Sequence, residues 1–111
     1  MPLSLPVKER NRRAICKDGF SLSIQADNLS YSSPRVTGAD RYTAVEVGFP
    51  SEHEPLLAPY QSSETKGEDM KKSIFVYVPV PIIGLILIKH GGMIDGELPA
   101  GIPNFTLPEE N

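Results

Sequence analysis

The stretch whose reading decides the fold is Ser73-Ile-Phe-Val-Tyr-Val-Pro-Val-Pro-Ile-Ile-Gly-Leu-Ile-Leu-Ile-Lys-His-Gly-Gly92. Its first part, Ile74 to Val78, is apolar at every position. That is the pattern of a strand covered on both faces, hence central in its sheet. Pro79 and Pro81 lack N–H donors and end it. Ile82 to Ile88 is too short an apolar run for periodicity to separate a buried helix from another strand. The flanks favour a helix near 81–90. Pro81 suits a first turn, Lys89 and His90 suit the negative end of the dipole, and Gly91-Gly92 suits a C-terminal cap. Gly84 and the isoleucines pull toward a strand, since glycine costs a helix about 1 kcal/mol relative to alanine. The apolar run from Ile74 to Ile88 is 15 residues long. A spanning helix needs roughly 20, and prolines interrupt this one, so no membrane segment is expected. A helix without a polar face needs cover on most sides, which one strand layer does not provide. Self-association or a partner at 82–88 would provide it.

Working back from that stretch, Phe20, Leu22, Ile24 and Ala26 alternate with Ser21, Ser23, Gln25 and Asp27. This period of two marks a half-buried strand. A second strand follows at 43–49, with Val45, Val47 and Phe49 on one face. Gly48 marks a bulge or a close approach, and Pro50 ends the ladder. Residues 27–42 form a long polar loop of the kind that is often functional or mobile. Residues 51–60 carry alternative helix starts. Ser51 with Glu54 has capping-box spacing, whereas Glu54-Pro55 puts proline at the first helical position. Residues 61–72 are polar and read as a flexible connection.

The fold expected is α+β: a small, mainly antiparallel three-stranded sheet of strands near 20–26, 43–49 and 74–78. One helix near 81–90 covers it, and one short helix lies near 52–60. Residues 18–92 would form the domain, 1–17 an extended basic arm, and 93–111 an extended, Pro-rich acidic tail. Eleven prolines and nine glycines in 111 residues fit short elements and extended ends.

Net charge is −3, which argues against the whole chain being a nucleic-acid binder. The charge is uneven. Residues 1–18 hold five basic and two acidic side chains, net +3, and the rest is −6. The single cysteine, Cys16, rules out an internal disulfide framework and fits a reducing, cytoplasmic setting. No secretory signal follows the basic stretch 8–17. Asn104-Phe105-Thr106 matches a glycosylation pattern, which carries no weight without such a signal.

Motifs for chemistry are sparse. Cys16, His53 and His90 have no ligand spacing, and adjacent Glu52, His53 and Glu54 would not face one metal. No nucleophile elbow and no phosphate loop occur. Arg13 and Lys17 could lower the pKa of Cys16, but a small residue at the core edge is the simpler reading. Neither a cofactor nor an enzymatic activity is expected. Tyr31-Ser-Ser-Pro34-Arg35 joins residue types favoured as interface anchors. The candidate partner-binding residues are Tyr31, Pro34, Arg35, Glu46, Glu52 and Glu54.

Gly19-Phe-Ser-Leu-Ser-Ile-Gln-Ala26, Ser33-Pro-Arg35, Tyr42-Thr-Ala-Val-Glu-Val-Gly-Phe-Pro-Ser51, Tyr77-Val-Pro-Val80 and His90-Gly-Gly92 occur in that order. Over residues 18–92 the chain resembles a group of small phage- and prophage-encoded proteins. The resemblance implies a viral accessory origin and brings no catalytic residues. The function expected is non-catalytic binding of a host protein in the host cytoplasm, as an inhibitor of a defence or nucleic-acid enzyme. The alternative is an assembly protein that forms a homo-oligomer through 82–88.

Overall fold

The computed structural model describes residues 11–103. Within them the sheet has five strands, not three. They are β1 (Ala14–Cys16), β2 (Ser21–Gln25), β3 (Ala44–Gly48), β4 (Ile74–Pro79) and β5 (Met93–Asp95). Their order across the sheet is β4-β3-β2-β1-β5, and every neighbouring pair is antiparallel. The helix α1 (Val80–Lys89) runs directly on from β4, and the chain then forms β5 at the opposite edge.

The alternation in β2 holds through Ile24, whereas Gln25, expected on the wet face, is buried against the Asn11 backbone. Leu22 and Ile24 are fully buried and Phe20 nearly so, while Ser21 and Ser23 are half-exposed. Val45 and Val47 of β3, Phe75 and Val78 of β4, and Ile83, Ile86 and Leu87 of α1 complete one core. Each such side chain contributes about 1.5–3 kcal/mol when fully buried.

The two additional strands come from the segments read as arm and tail. Cys16 pairs with Met93 and Ile15 with Asp95. Beside them, the backbones of Arg12 and Glu97 join through Glu97 N–H to the Arg12 carbonyl at 3.2 Å. Three-residue strands are too short to display an alternation, which is why the sequence hides them. Gly96 makes this edge possible. Its φ is +108°, and a Cβ there would lie 2.3 Å from the Arg13 carbonyl oxygen.

β4 is an edge strand, which corrects the expectation of a central one. It is apolar because one face enters the core and because its outer edge is partly covered. Ser62 N–H bonds the Ile74 carbonyl at 2.8 Å, and Gln61 bridges Phe75. The short helix of 52–60 is a 3-10 helix, Pro55–Tyr60, capped by Glu54 with proline in its first turn. Residues 61–72 are tied down by the Gln61 amide, which reaches Thr65 O, Glu68 O and Ser73 Oγ, and they include a second 3-10 turn, Met70–Lys72. The Asn104 motif and the outer parts of the arm and the tail lie outside the described residues.

α1 ends as the glycine pair implies. Gly92 N–H bonds the Leu87 carbonyl at 2.8 Å and Gly91 N–H the Ile88 carbonyl at 3.0 Å. Both glycines have positive φ, the geometry of a Schellman cap. Among the described residues, no helix is long and apolar enough to cross a membrane.

Candidate functional site

The site begins at an irregularity in the sheet. Val47 pairs with Phe75, but Val45 pairs with Val78, so β4 holds one residue more than β3 across this interval. That is a β-bulge at Val76-Tyr77 opposite Glu46. Tyr77 takes φ +52°, a left-handed conformation that costs a non-glycine residue about 1–2 kcal/mol. The bulge turns its N–H out of the ladder to the Tyr31 carbonyl, at 3.1 Å. Tyr31 N–H in turn donates to Glu46 Oε1 at 2.8 Å. The backbone of Tyr31 is therefore gripped on both sides by β3 and β4.

The consequence is a preset group of side chains. The rings of Tyr31 and Tyr77 meet edge to face, with centroids 6.1 Å apart and planes at 61°. The Arg35 guanidinium carbon lies 4.5 Å from the centroid of Tyr31. Tyr31 and Tyr77 remain 36% and 46% exposed. Arg35 is exposed and makes no ion pair among the described residues. The rest of the 27–42 loop is ordered by its own bonds. Thr37 Oγ1 donates to Asn28 Oδ1 at 2.8 Å, and the buried Tyr42 hydroxyl donates to the Val36 carbonyl at 2.6 Å.

A second cluster lies at the C-terminal end of α1. His90 Nδ1 is 2.7 Å from Asp18 Oδ2, and His90 Nε2 is 2.7 Å from Glu54 Oε1. A carboxylate only accepts, so both contacts are hydrogen bonds at once when both ring nitrogens carry protons. Lys89 Nζ holds Glu54 Oε2 at 2.9 Å, and Phe20 stacks on the His90 ring with centroids 4.0 Å apart. Burial pushes the Glu54 carboxyl up, but bonds from His90, the Leu56 N–H and Lys89 outweigh it and hold the pKa below 4.5. The Phe20 N–H, acting against desolvation and with help from His90, holds Asp18 below 3.8. Cys16 is buried, and burial followed by the Asp18 charge raises its thiol to about 11. This removes the reactive-thiol reading, because little thiolate forms near neutrality.

Of the sequence-derived candidates, Tyr31, Pro34, Arg35 and Glu46 fall in the first cluster. Pro34 is exposed between the two anchors, after a cis peptide bond. Glu46 supports the site through the Tyr31 backbone. Glu52 is exposed on the connection between β3 and the 3-10 helix, with no contact to the cluster. Glu54 is corrected. It is fully buried in the His90 network and is no surface anchor. Tyr77 was missed, because a bulge cannot be read from an unbroken apolar run.

A pocket of about 240 Å³ lies elsewhere, between Gln25, Asp27, Gly38, Tyr42, Leu98 and Pro99. Its Gln25 amide is already taken by the Asn11 backbone and Ser23. Among the described residues, no group of three His, Cys, Asp or Glu side chains is arranged to hold a metal ion.

Comparison with known proteins returns no match. No family model matches the chain, and neither does a curated protein or a solved structure.

Proposed function

We propose that the chain is a non-catalytic protein-binding domain whose contact face is formed by Tyr31, Arg35 and Tyr77. The observation that carries this reading is the bulge. A tyrosine is kept, exposed, at a backbone angle suited to glycine, and its N–H fixes the neighbouring aromatic residue. Strained residues of this kind cluster at functional sites. Tyrosine and arginine are also the side chains that most often dominate binding energy at interfaces. The sequence resemblance supports a phage-type accessory role against a host protein, an inhibitor of a defence or nucleic-acid enzyme among them. The lone cysteine supports a cytoplasmic setting.

The test is affinity capture from host lysate with wild type and with a Tyr31→Ala/Tyr77→Ala variant in parallel. The expected result is a protein retained by wild type and absent from the variant. Identical retention by both would overturn the reading.

A second reading is favoured by a different observation. Pro81, Leu85 and Ile88 are exposed along one stripe of α1, Leu85 by 54% and Ile88 by 44%. The stripe supports self-association, although Ile83, Ile86 and Leu87 of the same segment are spent on the core. Light scattering on concentrated protein tests it. A defined oligomer broken up by Leu85→Lys supports assembly, and a strict monomer excludes it.

A further inference from the structure

We infer that the Tyr31–Arg35–Tyr77 face recognises an acidic protein segment in which an aspartate or glutamate stands beside a proline or an aromatic side chain. The inference rests on the binding role proposed above and names the chemistry of the partner.

The charge comes first. Arg35 lies on the Tyr31 ring with no carboxylate paired to it among the described residues. The guanidinium sits over the ring and its N–H groups make no hydrogen bond among the described residues, so they can take a carboxylate at two points. Covering this face with a neutral or basic surface would desolvate the guanidinium without compensation, which is costly. A single guanidinium takes one carboxylate through two parallel N–H···O bonds. With one cation among Tyr31, Arg35 and Tyr77, the face offers a nucleic-acid strand little of the many phosphate contacts on which that affinity depends.

The shape comes second. Two exposed rings at 61° leave apolar surface on which a flat side chain can pack beside the guanidinium. Aromatic-lined grooves take proline in this way, and aromatic pairs favour the same offset and edge geometries. The ring pair is held by backbone bonds to Glu46 and from Tyr77, so little ordering remains to oppose binding.

The experiment is selection from a random peptide library on the immobilised full chain. Affinities of the enriched peptides are then measured on variants checked by their unfolding midpoints. The expected peptides carry Asp or Glu next to Pro, Tyr, Phe or Trp. They should bind Arg35→Gln and Tyr77→Ala about tenfold or more weakly, and Arg35→Glu should select Lys or Arg in place of the acid. Tyr77→Gly replaces Tyr77→Ala should the latter fail to fold. Peptides that need both tyrosines but not Arg35 would overturn the acidic specificity and leave the binding face standing. Peptides indifferent to all three residues, or no enrichment at all, would overturn both. Oligothymidylate bound by wild type and lost in Arg35→Gln would replace the protein partner with a single strand.

Discussion

The ends of this sheet use aromatic and charged residues in opposite ways. Around His90, Asp18, Glu54 and Lys89 are joined by short bonds, and Phe20 covers the ring. This cluster ties the end of α1 to the β1–β2 turn, a link reinforced by Lys17 N–H to the Gly92 carbonyl at 2.9 Å. Around Tyr31, the bonds are spent on backbone groups, and the side chains are left open to solvent. Paired charge holds the fold together at one end. Positioned but unpaired groups at the other are the raw material of recognition. A buried ion is not by itself a sign of function here, and an exposed cation held in place is the more informative feature.

The largest expected effect that separates the regions is on stability. His90→Ala removes both carboxylate contacts and the stacking on Phe20, leaving buried Glu54 with only Lys89 and the Leu56 N–H. It should cost about 2–3 kcal/mol in urea unfolding and leave peptide affinity unchanged at temperatures where the variant is folded. A loss of affinity at full occupancy of the fold would break the comparison.

Acid should act through the same end. Glu54 and Asp18 have folded-state pKa values below their ordinary 4.5 and 3.8, so the unfolded chain takes up protons first as pH falls. Their contribution is fully present above those ordinary values and is lost as pH drops through the lower folded-state values. The unfolding midpoint of wild type should fall through this window, and that of Glu54→Gln should fall less. Equal pH dependence in the two proteins would remove the network from the account.

Smaller effects belong to the recognition end. Tyr77→Gly should be more stable than Tyr77→Ala by about 1 kcal/mol, the reverse of an ordinary strand position, because φ is positive there. Both should lose binding alike. Arg35→Gln should change stability by less than about 0.5 kcal/mol, and its whole effect should appear in affinity.

The sequence made the middle of the molecule legible. The Leu22/Ile24 alternation and the Gly91-Gly92 stop are local signals, and each led to the right element. It also brought Tyr31, Arg35 and Glu46 forward as candidates, since residue type and loop context are local too. What it hid depends on distance or on irregularity. Asp18 and Glu54 lie 72 and 36 positions from His90, so nothing near Glu54 announces that it is buried. β1 and β5 each have three residues, and β5 reaches β1 only after the chain has crossed from one edge of the sheet to the other. Tyr77 sits within an apolar run whose uniformity conceals the extra residue, and only the Glu46–Tyr31–Tyr77 contacts show why the bulge is there.

The central claim is that recognition takes place at the bulge and not at the helix. Backbone amide NMR shifts of the labelled protein, followed during titration with an enriched peptide, test it most directly. The account predicts perturbations centred on Tyr31, Arg35, Glu46 and Tyr77, with Phe20, His90 and Leu85 unmoved. Shifts centred on Leu85, Ile88 and the rest of the α1 stripe, with the tyrosine pair silent, would contradict it.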